Sequence, residues 1–157
     1  MAEVTQAEMN KAKEVYATLC KSLDDREWHY EKHEEDLVVT CGVSGDDIPM
    51  RLIIRVMPER QLVQLLSPLP FDIPEDKRVD VALATTMIND KLANGSFDFD
   101  LASGRTVFRL TNAFMESTLG TEVFHYMIGV SVATVDEYND KLMMLMKGMI
   151  ELSAFAE

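Results

Sequence analysis

The chain has 157 residues, of which 15 are Lys or Arg and 27 are Asp or Glu, so its formal net charge is −12 with histidine neutral. This length suits one domain, residues 1–157, that can bury a core without a disulfide or a metal. So acidic a surface repels phosphate groups and anionic lipid. We therefore expect neither nucleic acid nor a membrane as the partner.

The amino-terminal segment contains acids and no unbroken apolar run, unlike a secretory signal. The sequence also contains no run of about 18 apolar residues. These features predict a cytoplasmic protein. Cys20 and Cys41 are too few for a disulfide framework, and we expect both to be small buried hydrophobic residues.

A first helix is predicted from Val4 to Leu23, because apolar residues recur there at steps of three and four. The residues of this stripe are Met9, Ala12, Tyr16, Leu19 and Leu23. The same spacing would suit a coiled coil, but it lasts for only about two heptads. Packing against the core of the domain is the better explanation.

Four short strands follow, and they are predicted to form an antiparallel meander. They are assigned to Trp28–Lys32, Leu37–Ser44, Met50–Met57 and Gln61–Ser67. The third strand alternates, which places Arg51, Ile53 and Arg55 on the face opposite its other apolar residues. That strand is therefore expected to have one face in water.

A proline-rich segment leads from the meander to a second helix, predicted from Glu75 to Ala93. The segment, with Pro68, Pro70 and Pro74, could be a polyproline motif that recruits a partner, but a stiff connection is favoured. The helix is apolar nearly all the way round. It therefore needs cover on two sides, either from the fold or from a second copy of the chain.

A β-hairpin comes next and is the clearest local signal in the sequence. Phe97, Phe99 and Leu101 alternate with aspartates before the turn at residues 102–105, and Thr106–Thr111 returns as the second strand. The order of elements up to this point predicts an α+β fold with helices packed on one face of a mainly antiparallel sheet.

A long last helix is predicted from Leu119 to Leu152, with a buried stripe that ends at Leu145 and Met149. The segment Val130 to Val135 is rich in β-branched side chains, and Thr134 to Glu137 resembles a capping box. A kink or break is therefore expected near Thr134.

The order of elements and a linked series of residues resemble the bacterial YbjN domain proteins, described as sensory-transduction regulators. The series consists of Pro74, Glu75, Arg78, Val81, Asn89, Gly95, Phe97, Asp100, Ser103, Gly104, Val107, Phe108 and Arg109. The resemblance covers most of the chain. It implies the two-layer α+β sandwich of type III secretion chaperones, which are small acidic proteins that commonly dimerise and hold a partner chain in extended form.

The function implied by the resemblance is regulation or chaperone-like binding of a protein or peptide partner, without catalysis and without a cofactor. Arg51, Ile53 and Arg55 are one candidate surface, since arginines there could hold a carboxylate-bearing segment; pairing with acids on neighbouring strands is the favoured alternative. Met143 and Met146 are another, because flexible thioethers suit varied apolar partners, although about half of the methionine cluster around them must face the core.

The middle helix is the candidate for a homodimer interface, through Met87, Ile88 and Asn89 near its end. The amide of Asn89 could bond across a two-fold axis, or it could cap neighbouring backbone groups within the chain.

An unrecognised hydrolase is the alternative function, because Asp98 and Asp100 would lie about 7 Å apart on one strand face. Ordinary solvent-facing alternation explains this pair better. His29 and His33, if on a strand, would be about 13 Å apart, too far to share a metal ion. A structural subunit of a larger assembly is a further possibility.

Overall fold

The computed structural model describes residues 3–157, which form a layer of helices packed on an antiparallel sheet. The α-helices are α1 (Gln6–Asp24), α2 (Arg78–Lys91) and α3 (Thr121–Met146). The strands are β1 (Glu31–His33), β2 (Val38–Ser44), β3 (Pro49–Met57), β4 (Leu62–Pro68), β5 (Ser96–Phe99) and β6 (Thr106–Ala113). The predicted α+β class and the predicted order of elements are confirmed.

Helix α1 begins with a capping box. The Glu8 backbone N–H donates to Thr5 Oγ1 at 3.2 Å, and the Thr5 N–H donates to Glu8 Oε2 at 2.8 Å, so two otherwise free N–H groups are satisfied. The predicted apolar stripe faces the core, where Ala12 and Leu19 are fully buried. The helix is thus held by one buried side rather than by a coiled-coil partner.

The six strands follow the order β1-β2-β3-β4-β6-β5, and every neighbouring pair is antiparallel. Register places Ile54, Leu65 and Leu110 side by side across β3, β4 and β6, and each is at most 1% exposed. Helix α1 contacts β3, α3 contacts β4 and β6, and α2 contacts β5. Strand side chains alternate between faces, and within residues 3–157 these helices pack on one face of the sheet and leave the opposite face uncovered.

Helix α2 is fastened to the β5–β6 hairpin by side chains that bond to backbone. Asn89 Oδ1 accepts the Phe97 N–H at 2.8 Å, and Asn89 Nδ2 donates to the Phe97 carbonyl at 3.0 Å. This pair of bonds satisfies the outer edge of β5, which would otherwise lie unpaired. Asn89 therefore caps neighbouring backbone groups.

Arg78, at the start of α2, fastens the helix to the turn of the β5–β6 hairpin. Its guanidinium donates to the Ile73 carbonyl at 3.0 Å and to the carbonyls of residues 101, 102 and 103 at 3.3, 2.7 and 3.2 Å. Gly104 lies beneath it with φ +78°, and a Cβ there would come within 2.1 Å of the Ile73 oxygen. We call Arg78, Asn89, Asp100 and Gly104 the α2–hairpin clamp.

The first strand differs from the prediction. It runs over Glu31–His33 rather than Trp28–Lys32, because the preceding residues end α1. Glu27 has φ 55°, and the Trp28 N–H donates back to the Leu23 carbonyl at 3.0 Å. The sequence pattern of aromatic residues alone could not reveal this helix terminus.

The second helix also begins later and packs differently than predicted. Glu75–Lys77 forms a 3-10 turn before α2, and the helix buries Val81, Ala84 and Ile88. Val79 and Leu83, two apolar residues of the same helix, are 67% and 48% exposed. Because the helix is apolar on several sides, the sequence pattern did not identify the side that packs.

The expected break near Thr134 is wrong, because α3 is continuous from Thr121 to Met146. Ser131 donates to the Met127 carbonyl at 2.7 Å, and Thr134 is buried within the helix. The helix stops before residue 152 because Gly148 adopts φ +71°, a conformation that ends helices.

The burial predicted for Met149 is wrong, since its side chain is 68% exposed beyond the end of α3. In the hairpin, β5 likewise ends at Phe99, and Leu101 is 58% exposed in the turn. Cys20 and Cys41 are free and buried, at 6% and 7% exposure, as the sequence predicts. Burial raises the pKa of the Cys41 thiol to about 11, so this thiol stays protonated and unreactive.

Candidate binding surface on the open face of the sheet

The uncovered side of the sheet, which we call the open face, carries a repeated pattern on two strands. Arg51, Ile53 and Arg55 point outward from β3, as the sequence predicts, since the residues between them pair with the buried row. Val107 and Arg109 point outward from β6, and Arg105 precedes Val107 by two residues. Both strands thus read arginine, β-branched residue, arginine at every second position.

Strand β4 lies between these two strands and fills the centre of the open face. Register aligns Ile53 with Leu66 and Leu66 with Arg109 in one row across the sheet. Ile53 and Leu66 are only half-buried, because no helix covers them. A shallow groove of about 480 Å³ crosses this region and includes Pro68 and Val107 in its lining.

The arginines of the open face differ in how they are satisfied. Arg55 donates from Nε and Nη2 to Gln64 Oε1 at 3.0 and 2.5 Å. Arg109 makes a two-pronged ion pair with Asp98, with Nε–Oδ2 at 2.6 Å and Nη2–Oδ1 at 3.1 Å, which raises the pKa of Arg109. Within residues 3–157, the ion pairs include neither Arg51 nor Arg55. The expected pairing of these two arginines with acids on neighbouring strands is not observed.

Charge on the open face is opposite to that of the whole chain. At the outward positions of β2, β3, β4 and β6, every charged residue is an arginine, namely Arg51, Arg55 and Arg109. Acids stand at the edges of this face: Asp98 on β5 bonds to Arg109, Asp100 lines the same groove, and Glu31 on β1 lies opposite Thr40 and lines a pocket with Arg51. The central strands of the open face are therefore cationic and apolar, although the chain has a net charge of −12.

The second arginine stripe, Arg105, Val107 and Arg109, escaped the sequence analysis. Its alternation is visible in the sequence and could have been noted. Its position beside β3 could not, because only the register of β4 brings the two stripes onto one surface.

The two carboxylates considered for hydrolysis are occupied by structural partners. Asp98 binds Arg109. Asp100 accepts the Ser103 hydroxyl at 2.7 Å and the Ala102 N–H at 3.0 Å, and these bonds lower its pKa. A general acid needs a raised pKa, so the geometry around Asp100 serves the hairpin turn rather than proton donation.

A larger groove, about 880 Å³, lies between α1 and the β1–β2 turn. Its lining includes Tyr16, Cys20 and Leu37. Lysines and acids both line the groove, so its charge does not favour either an anionic or a cationic ligand. Burial raises the pKa of the Tyr16 phenol to about 12 and also raises the pKa of the Cys20 thiol. Neither group is therefore activated as a nucleophile.

The other predicted site residues are separated from the open face. Met146 packs against the core from the end of α3, and Met143 is half-buried on the same helix. Ile88 is 1% exposed in the core, and Asn89 is bonded to Phe97. Met87 is half-buried and packs beside them. The partner role of the methionines and the dimer role of α2 stay predictions.

Within residues 3–157, no group of three or more His, Cys, Asp or Glu side chains is arranged to hold a metal ion. His33 stands on β1, and its Nε2 lies 3.3 Å from Thr40 Oγ1. In the same part of the chain, no helix combines the length and the hydropathy that a membrane span requires.

The described residues thus form a two-layer α+β sandwich with arginines and apolar side chains on the bare face of its sheet. The chain belongs to the YbjN family, described as "Putative bacterial sensory transduction regulator", whose family profile matches residues 16–143. No curated protein matches the sequence significantly.

Two solved structures are similar to this chain. One is the crystal structure of "YbjN, a putative transcription regulator from E. coli", with 13% identity and a TM-score of 0.61 over 80% of this chain and 92% of that chain. It confirms the fold alone. The other is the "HopA1-SchA Chaperone-Effector Complex", with 16% identity and a TM-score of 0.48 over 93% of this chain and 97% of the matched chain.

Proposed function

We propose that this chain is a non-enzymatic regulatory protein of the cytoplasm that holds a segment of another protein against the open face of its sheet. The observation that carries the proposal is the placement of half-buried Ile53 and Leu66 at the centre of a face that no helix covers. Exposed apolar residues grouped on one surface and rimmed by polar side chains are typical of interaction sites. The arginines around them supply that rim.

The position of the helices supports this use of the sheet. All three lie on the other side, where they complete the core, so a partner can approach the open face without any rearrangement of the fold. The clamp that fastens α2 to the hairpin keeps β5 and β6 in register. A binding surface built on strands held in this way is preorganised, which lowers the entropic cost of association.

A photo-crosslinking experiment tests this proposal. Benzoylphenylalanine is introduced in place of Leu66 in the tagged chain, which is expressed in its own source and irradiated in intact cells. We expect a discrete crosslinked protein, identified by mass spectrometry, whose yield falls strongly when Arg51 and Arg55 are changed to Glu. The matched control places the same crosslinker at Arg60, an exposed residue of the β3–β4 turn. Equal products from both positions, or none from position 66, would contradict the proposal.

We also propose that the chain forms a homodimer through α2. Val79 and Leu83 lie one helical turn apart and are 67% and 48% exposed, and half-buried Met87 continues the stripe by one more turn. A second copy would cover this stripe. Light scattering tests the proposal with Leu83→Asp, which we expect to convert a dimer to a monomer, whereas Ala133→Asp, at an exposed position of α3, should leave the dimer intact. A wild-type monomer at tens of micromolar would contradict it.

A further inference from the structure

We propose that the occupant of the open face is an extended acidic segment. On the side of the segment that faces the sheet, carboxylates alternate with apolar side chains. This inference rests on the proposed function and adds the chemistry of the partner. The open face offers it two stripes of the same composition: Arg51, Ile53 and Arg55 on β3, and Arg105, Val107 and Arg109 along β6.

The spacing of these stripes matches an extended chain. Outward side chains on a strand repeat about every 6.8 Å, because each residue advances about 3.4 Å. An extended segment lying over the sheet has the same repeat on the side that faces the protein. Its carboxylates can then meet the arginines while its apolar side chains meet Ile53, Leu66 or Val107. A helical segment would present residues three or four apart and would not match both stripes.

The type of cation indicates which anion is recognised. Four of the seven arginines of the chain stand at Arg51, Arg55, Arg105 and Arg109, and no lysine occupies an outward position of β2, β3, β4 or β6. A guanidinium presents a planar fork that fits a carboxylate with two parallel hydrogen bonds, whereas an ammonium acts as a point charge. The remainder of the chain is acidic and repels such a segment, which directs it toward the open face.

Asp98 shows how a partner carboxylate would be held. Its two oxygens accept from Nε and Nη2 of Arg109 at 2.6 and 3.1 Å, and both side chains stay partly exposed, at 46% and 41%. Asp98 thus binds the Arg109 guanidinium through the same carboxylate hydrogen bonds that we assign to the partner. Removing its charge leaves Arg109 free for a carboxylate from outside.

Fluorescence anisotropy with a defined peptide tests this inference on the full chain. The labelled peptide has about ten residues, long enough to cross the face, with glutamate and valine or leucine alternating at every second position and serine between them, so that both kinds of side chain face the sheet. Two matched peptides carry glutamine in place of glutamate, or serine in place of valine and leucine. We expect the first peptide to bind at least tenfold more tightly than either variant, with affinity falling as salt is added.

Variants of the chain locate the contact. Arg51→Glu and Arg105→Glu should each weaken binding about tenfold, Asp98→Asn should strengthen it severalfold, and Arg60→Glu, which changes the net charge equally but lies in a turn, should have little effect. Equal loss with Arg60→Glu would overturn the inference, because net charge would then explain the binding. Equal affinity for the glutamine peptide would overturn it as well.

Vesicles of phosphatidylglycerol provide the other anionic surface. Binding of the chain to these vesicles without binding to the acidic peptide would overturn the inference in favour of a lipid surface. Failure of the peptide assay is distinct from failure of the proposed function. If crosslinking at Leu66 still identified a protein partner while every acidic peptide failed, the binding role would stand and the acidic chemistry of its partner would be wrong.

Discussion

The α2–hairpin clamp and the open face meet at Asp100, which lines the groove of the open face, yet the two regions use arginine in opposite ways. In the clamp, the Arg78 guanidinium donates hydrogen bonds to four backbone carbonyls. On the open face, Arg51 is exposed and belongs to none of the ion pairs described for residues 3–157. The clamp therefore stabilises the fold, whereas the Arg51 guanidinium on the open face is available to bind a partner.

All four residues of the clamp belong to the series that makes the sequence resemble the YbjN family. Arg78, Asn89, Asp100 and Gly104 each bond to, or lie against, the backbone of the turn and the edge strand. This part of the family signature thus stabilises the fold, whereas Val107 and Arg109 of the same series stand on the open face. Variants of the clamp should change stability, and variants of the open face should change binding.

The largest loss of stability is expected for Gly104→Ala. The backbone at this position has φ +78°, and the new Cβ would lie 2.1 Å from the Ile73 oxygen and 2.9 Å from Arg78 Nε. We expect a loss of about 3 kcal/mol in the free energy of unfolding, from backbone strain and a displaced clamp. Urea titration followed by circular dichroism measures it.

Gly129→Ala is the matched control for that substitution. Gly129 is exposed within α3, and an added Cβ meets no heavy atom within 4 Å. Alanine should therefore raise stability by about 0.5–1 kcal/mol, since glycine is costly in a helix interior. An unchanged urea midpoint for Gly104→Ala would show that the clamp tolerates displacement and would contradict its structural role.

Asn89→Ala is expected to have the next largest effect. It removes both bonds to the backbone of Phe97, leaving an N–H and a carbonyl unpaired beside the buried ring. We expect a loss of about 2 kcal/mol, measured by the same titration. The exposed Thr86 of α2, changed to Ala, should be nearly neutral. If the two variants behaved alike, the bonds to Phe97 would not stabilise the edge strand.

The hydrogen bonds of Asp100 in the hairpin turn should make a smaller, pH-dependent contribution to the free energy of unfolding. The Ser103 hydroxyl and the Ala102 N–H lower the pKa of Asp100 below its ordinary value of 3.8. Its stabilising effect is therefore fully present above that ordinary value and is lost as pH falls through the lowered pKa. Between pH 7 and about pH 3, wild type should lose more stability than Asp100→Asn.

Asp72→Asn, at an exposed position outside the turn, serves as the control for this pH series. It should follow the wild-type pH dependence. A pH dependence of Asp100→Asn equal to that of wild type would show that the bonds to Asp100 do not survive in solution.

The smallest effect on stability is expected on the open face. Arg51 is exposed and makes no ion pair among the described residues, so Arg51→Glu should change the free energy of unfolding by less than about 0.5 kcal/mol. The same variant should abolish most of the crosslinking at position 66. A loss of stability as large as that of Asn89→Ala would show that Arg51 stabilises the fold. It would contradict the distinction between a stabilising clamp and a binding open face.

Local patterns in the sequence predicted most of the fold, because period-two and helical spacing survive in any tertiary context. The hairpin, the outward position of Arg51, Ile53 and Arg55, and the buried cysteines were all accessible in this way. What failed depended on tertiary packing: Leu83 could not be recognised as exposed on a helix that is apolar on several sides. Whether β-branched residues near Thr134 break a helix depends likewise on what packs around them.

The open face could be predicted only in part, because it joins β3 and β4, which are consecutive in sequence, to the distant strand β6. One stripe was visible on β3, but its alignment with Leu66 and Arg109 depends on the register of β4 and β6. Long-range register is set by the whole hydrophobic pattern and by the turns. A binding surface of this kind therefore emerges only once the sheet is assembled.

Amide chemical-shift mapping during titration with the acidic peptide tests the central claim most directly. We predict that the perturbed amides concentrate on β3, β4 and β6, around Ile53, Leu66 and Val107, and that those of the clamp stay unchanged. Perturbations centred instead on Tyr16 and Cys20, in the groove beside α1, would show that the partner binds on the other side of the protein and would contradict the account.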